Sequence, residues 1–201
     1  MYKERDFESL WEKYTNLLKK LNNKNIDNLI NAYDQRILTS SYSLKEKEPF
    51  CGIGGNVEYA LNLAKNANSI CKALNYDVSQ ASIIKCSLLS IIGRIGTQFE
   101  DRLIETTSEW HKEKLGQYYT WNENCQKYSV NHMTTYYLQK FNITLTWEEF
   151  ETLILLNDSS NENDKFYGFY KNRLTMILGL AHEATLKDEF DRVNGIYTVP
   201  F

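Results

Sequence analysis

The chain has 201 residues, a formal net charge of −3 and 13% aromatic residues. A chain of this length is expected to bury roughly 70% of its unfolded surface as one domain. The small negative charge does not favour duplex nucleic acid as a partner, because that partner requires a basic surface. No apolar run reaches the ~20 residues of a membrane-spanning helix, and the N-terminus lacks the apolar core of a signal peptide. We therefore expect a cytoplasmic protein without a membrane partner.

The cysteines and histidines do not form a metal-binding pattern. The four cysteines are Cys51, Cys71, Cys86 and Cys125, and none of them pairs as Cys-x-x-Cys or with zinc spacing to histidine. We expect free thiols, no bound metal and no cofactor.

Residues 1–48 predict a helical hairpin. Apolar residues recur at helical spacing from Asp6 to Asn22 and again from Ile26 to Leu38. We expect this hairpin to cover the core of the protein. A dimerisation surface is the alternative, and a homodimer is the oligomer that we favour.

Residues 49–193 predict the main helical region. A glycine-rich loop precedes a helix that runs to about Leu74, and Asp77 or Ser79 is placed to cap the next helix. That next helix is apolar on most sides, which is typical of a central helix, and it ends at the turn around Arg94.

Residues 97–124 lack a helical period. Loose alternation in residues 105–112 and 117–121, on either side of Gly116, predicts a small β-hairpin arm. Its basic and aromatic side chains, Lys112, Tyr118, Tyr119 and Trp121, are of the types that hold a phosphate and stack on a base.

The rest of the chain predicts three further helices. One spans Val130 to Phe141, and a second begins at a capping box formed by Thr146 and Glu149. The last runs from Asn172 to about Val193 and is followed by a tail, residues 194–201. The predicted fold class is therefore all-α, as a single helical bundle with a small β-hairpin arm.

The segment Leu88 to Gly96 resembles the signature of the HD-domain metal-dependent phosphohydrolases, Leu-Leu-His-Asp-Ile-Gly-Lys. The glycine-rich segment from Phe50 to Leu63 resembles the family's His-Gly-Gly-Leu-Val-Glu-His-Ser-Leu, and the likeness continues to about Glu189. The resemblance implies an HD-like helical fold. It also implies that the metal ligands are lost, because the family's ligand positions fall on Tyr59, Ser90, Ile91, Val130, Leu156 and Ala181.

Divalent metals in such sites need imidazole or carboxylate ligands, which these positions do not supply. The family's lysine is replaced by Arg94, a permanent cation that suits phosphate. His182 follows Ala181, and since a helix turns ~100° per residue we expect it to face elsewhere and pack against neighbours.

The resemblance therefore implies a catalytically inactive protein that binds and sequesters a phosphate-bearing nucleotide. A viral protein that takes up a host immune signal, such as a cyclic nucleotide or an ADP-ribose derivative, fits this description. The expected ligand-binding residues are Tyr59, Ser90, Arg94, Lys112, Tyr118, Tyr119, Trp121, Asn131, His132 and Asn157.

Two other functions stay open. A pseudoenzyme scaffold would bind a protein partner, with apolar side chains such as Ile91 filling the former metal pocket. A divergent active phosphohydrolase would use His132 with Glu58, or His182 with Glu183.

Overall fold

The computed structural model describes residues 5–156 and 171–196. This part of the chain is mainly helical and contains one small antiparallel sheet, as predicted. The helices are α1 (Phe7–Lys19), α2 (Lys24–Thr39), α3 (Gly55–Ala73), α4 (Gln80–Leu89), α5 (Glu109–Leu115), α6 (Val130–Lys140), α7 (Trp147–Leu155) and α8 (Arg173–Asn194). Within the described ranges, no helix combines the length and the apolar character needed to cross a bilayer.

Most helices begin at a polar residue whose side chain accepts a hydrogen bond from the first turn. Asp6, Ser79 and Asn172 cap α1, α4 and α8 in this way. The predicted capping box is confirmed, because Thr146 and Glu149 bond reciprocally at the start of α7. These caps satisfy backbone N–H groups that have no partner inside the helix.

The core lies between α3, α4 and α8, and the N-terminal helices pack on it. The Tyr14 hydroxyl is fully buried and donates a 2.9 Å hydrogen bond to the carbonyl oxygen of Leu88, which ties α1 to α4. Ile26 and Leu29 of α2 are also fully buried. These two helices therefore cover the core in the described part of the chain.

The β-hairpin arm differs in part from the prediction. Strand β1 (Leu103–Glu105) pairs antiparallel with β2 (Tyr119–Trp121), but α5 lies between them. The expectation of a strand over residues 105–112 is wrong beyond Glu105. Ser108 caps the backbone N–H of His111, and Gly116 ends the helix at a φ of 60°, so local capping favours a short helix.

A tight turn follows α4. The apolar helix ends at Leu89, and Ile92–Ile95 form a 3-10 helix that lies against the start of α6. The Gly93 N–H donates a 3.0 Å hydrogen bond to the Thr134 hydroxyl. A Cβ atom on Gly93 would lie 2.0 Å from the carbonyl oxygen of Val130, so only glycine allows this approach.

We predict that Gly93→Ala destabilises the protein by about 1–3 kcal/mol or more, because the added methyl group meets backbone rather than a movable side chain. Gly179→Ala is the matched control, since a Cβ there meets nothing within 4 Å inside α8. That control should gain about 0.5–1 kcal/mol from helix propensity. Urea denaturation followed by circular dichroism measures both, and equal stability of the two variants would contradict the packing described.

Candidate functional site

Tyr59 lies in a buried aromatic cluster that joins α3 to α8. Its ring centroid is 4.5 Å from that of Tyr42 and 5.7 Å from that of Phe50. Its hydroxyl oxygen is 2.8 Å from Nδ1 of His182. Burial raises the pKa of Tyr59 well above its usual value, so the hydroxyl keeps its proton and forms a hydrogen bond with the imidazole nitrogen.

We expected His182 to face elsewhere, and this expectation is wrong, because its Nδ1 lies beside the hydroxyl of Tyr59, the position to which the resemblance would assign the first metal ligand. The 100° offset from Ala181 still allows this contact, because the tyrosine side chain reaches across from α3. Burial lowers the pKa of His182 below its usual 6.5, so the ring is neutral near pH 7. The hydrogen bond to Tyr59 is partly buried.

Arg94 lies beside the same cluster. Its guanidinium carbon is 3.7 Å from the centroid of the Tyr42 ring, and its Nη1 is 3.5 Å from the carbonyl oxygen of Tyr42. This stacked geometry is a cation–π interaction. Tyr42 lies in a polar stretch without periodicity, so its contact with Arg94 could not be predicted from the sequence.

The other positions that the resemblance would assign to metal ligands are buried. Ser90 is 1% exposed and donates to the carbonyl oxygen of Ser87, whereas Ile91 and Ala181 are fully buried and Val130 and Leu156 nearly so. Asn131 is 5% exposed, and its Nδ2 donates to the carbonyl oxygen of Ile154. This set of hydroxyl and apolar groups does not fit a divalent metal, which needs imidazole or carboxylate ligands.

A second group of residues lines a cavity of about 210 Å³ next to the 3-10 helix, which we name the Arg102 cavity. The Arg102 guanidinium lies 4.8 Å from the centroid of the Trp121 ring. Its Nη1 donates a 3.2 Å hydrogen bond to the carbonyl oxygen of Tyr128. Gly93 and Lys127 also line the Arg102 cavity, which lies where the turn, the arm and α6 meet.

Arg102 differs electrostatically from other arginines of the chain. Arg5, Arg36 and Arg192 each form an ion pair with a carboxylate. In residues 5–156 and 171–196, no carboxylate lies within ion-pair distance of Arg102. Burial and then the positive charge of Arg94 lower the pKa of Arg102. The protein therefore holds a half-buried cation near a second cation, an arrangement that an anion would stabilise.

A larger, open groove of about 660 Å³ adjoins the Arg102 cavity, and we name it the aromatic groove. The two share Gln126, Tyr128 and Met133 as lining residues. Phe99 and Tyr136 line the aromatic groove, as does the exposed His132.

The structure does not bring the predicted ligand-binding residues together in one site. Trp121 lines the Arg102 cavity and His132 lines the aromatic groove, whereas Tyr59, Ser90 and Asn131 are buried. Lys112 pairs with Glu109 at 3.0 Å on α5. The backbone N–H groups of Tyr118 and Tyr119 both donate to the carbonyl oxygen of Leu44, and neither residue lines the Arg102 cavity. Asn157 lies outside the described residues.

Arg102, whose pKa is lowered by burial and by the charge of Arg94, was not identified from the sequence. The available signal was its position directly before β1, within the segment 97–124 that was predicted to form the basic and aromatic arm.

Comparison of the chain with known protein families, curated proteins and solved structures finds no match. Among the residues that the structure describes, no group of three or more His, Cys, Asp or Glu side chains is arranged to hold a metal ion.

We predict that His182 makes the stability of the protein depend on pH. Its pKa is lower in the folded protein than in the unfolded chain, so the unfolded chain takes up the proton first. The stabilisation is complete above the unfolded pKa of ~6.5 and is lost as the pH falls through the folded pKa. Urea denaturation between pH 5 and pH 8 should show a smaller loss of stability for His182→Gln than for the unmodified protein.

His132→Gln is the control, because His132 is exposed. A pH dependence that is the same for His182→Gln and the unmodified protein would contradict the assignment to His182.

Proposed function

We propose that this protein binds a phosphate-bearing nucleotide at the Arg102 cavity and holds it without hydrolysing it. The observation on which the proposal rests is the Arg102 guanidinium, which is half-buried, stacked on Trp121 and not neutralised by a carboxylate in the described residues.

The phosphate is the part of the ligand that Arg102 would bind. Guanidinium groups form two parallel hydrogen bonds to phosphate oxygens, and such charge-assisted bonds are about twice as strong as neutral ones. Lys127 lines the same cavity and adds a second cation, and the field of Arg94 reaches Arg102. A phosphate bound here would relieve the repulsion between the two arginines.

The base is the part that the aromatic side chains would bind. Trp121 is 47% exposed although it lines the Arg102 cavity, so its ring has surface available for stacking. Stacking on an aromatic ring contributes about 1–3 kcal/mol per base and accepts any base. A nucleotide combines both requirements, a planar base and a phosphate.

We expect the nucleotide to be retained without cleavage because of the side chains at the positions that the resemblance assigns to metal ligands. Hydrolysis in the HD-domain family depends on a metal-activated hydroxide, and Tyr59, Ser90 and Ala181 supply no ligand set for such a metal. A protein that binds the nucleotide but does not cleave it would act by sequestration.

A scaffold that binds a protein partner is the second candidate. The observation in its favour is a set of exposed tryptophans away from the Arg102 cavity, with Trp147 71% exposed and Trp110 59% exposed. Large aromatic side chains are enriched where proteins meet.

We predict that the protein binds adenosine 5′-diphosphate and that Arg102→Ala weakens this binding by about tenfold or more, the effect of losing a charged hydrogen bond of ~1.5–3 kcal/mol. Trp121→Ala should weaken it by a similar factor through lost stacking. Isothermal titration calorimetry measures both. Chromatography of the nucleotide after incubation with the protein and Mn²⁺ should recover it unchanged.

Arg173→Ala and Trp110→Ala are the matched controls, because Arg173 stacks on Tyr76 and Trp110 is exposed on α5. Both should bind like the unmodified protein. Absence of nucleotide binding, or equal loss in the controls, would count against the proposed site, and hydrolysis would count against sequestration.

A further inference from the structure

The Arg102 cavity is too small to enclose a nucleotide completely. Its volume of about 210 Å³ falls below the ~300–1,000 Å³ of sites that enclose small ligands, whereas the aromatic groove, at about 660 Å³, lies within that range. The shared residues Gln126, Tyr128 and Met133 place the two side by side. A ligand anchored at Arg102 would reach the aromatic groove by extending past Tyr128.

The two adjoining parts of this site differ in the charge of their lining side chains. The cationic side chains, Arg102 and Lys127, line the Arg102 cavity. The described lining of the aromatic groove contains Glu100 and neither lysine nor arginine. The phosphate would therefore stay in the cavity, and the part of the ligand that enters the groove should be uncharged.

Aromatic rings are present in both halves. Trp121 lines the cavity, and the groove is lined by Phe99, Tyr128 and Tyr136, which are 83%, 43% and 44% exposed. Phe99 is the most exposed large hydrophobic residue in the described chain. A planar, uncharged group lying in the groove would cover these rings and remove apolar surface from water.

We infer that the ligand is a dinucleotide, with one base on Trp121, its bridging phosphate between Arg102 and Lys127, and the second base in the aromatic groove. The polar groups of Gln98, Gln126 and His132 lie at the groove and are available to the edge of that base. This inference rests on the proposed function, because the same Arg102 holds the phosphate.

Two probes that differ only in the second base test its contribution to the affinity. ADP-ribose and di(adenosine-5′) diphosphate contain the same diphosphate and both riboses, and only the latter has a second base. We expect calorimetry to show that di(adenosine-5′) diphosphate binds about tenfold more tightly than ADP-ribose, the gain from one stacked base. The double variant Phe99→Ala/Tyr136→Ala should abolish this difference and leave the affinity for ADP-ribose unchanged.

Both substituted side chains are exposed, so the double variant should keep the stability of the unmodified protein, and a urea denaturation curve checks that it does. Phe190→Ala, at an exposed site on α8, is the control and should retain the tenfold preference.

Equal affinity of the unmodified protein for the two probes would overturn the dinucleotide inference and leave the proposed function intact. A preference that survives in the double variant would overturn the placement of the second base in the groove. Failure of both probes and of adenosine 5′-diphosphate to bind would overturn the proposed function, and the inference with it.

Discussion

The close approach of the 3-10 helix to α6 at Gly93 is the constraint on which the candidate site depends. Only a residue without a Cβ atom fits against the carbonyl oxygen of Val130, and the hydrogen bond to Thr134 fixes the turn in place. Because the turn is held there, Arg94 projects onto Tyr42, while Gly93 forms part of the wall of the Arg102 cavity. One backbone contact thus places the turn that carries Arg94 and forms part of the wall of the cavity that Arg102 lines.

The two sides of this turn have opposite physical character. On one side, Tyr59 and His182 join α3 to α8 through a partly buried hydrogen bond, and apolar residues such as Ile91 fill the neighbouring positions. On the other side, Arg102 keeps a cation beside an open cavity. We therefore propose a ligand site at Arg102 rather than at the positions that the resemblance would assign to metal ligands.

Local features of the fold could be predicted from the sequence because their causes are local. The cap at Ser79 and the capping box at Thr146 depend on residues within one helical turn, and both helices begin where these signals stand. Helix α5 was missed because its cap at Ser108 competes with a loose alternation of aromatic residues that is typical of strands. Seven residues are too few to show a helical period clearly.

The candidate site could be predicted only in part, because its contacts join distant parts of the chain. Tyr59 and His182 are 123 residues apart, and Arg94 and Tyr42 are 52 apart. Trp121 was identified from residue type alone, but its partner Arg102 was not, since nothing near position 102 indicates that a carboxylate is missing. That no carboxylate of residues 5–156 and 171–196 pairs with Arg102 depends on three-dimensional packing.

We propose that Arg102 binds the phosphate of a nucleotide. An NMR titration would show this binding at the Arg102 side chain itself. The Nε–Hε signal of Arg102, assigned by its loss in Arg102→Lys, would be followed as adenosine 5′-diphosphate is added. We expect the chemical shift of this signal to change and saturate, while that of Arg173 does not change. An Arg102 signal that does not move, or arginine signals that all drift together without saturating, would contradict it.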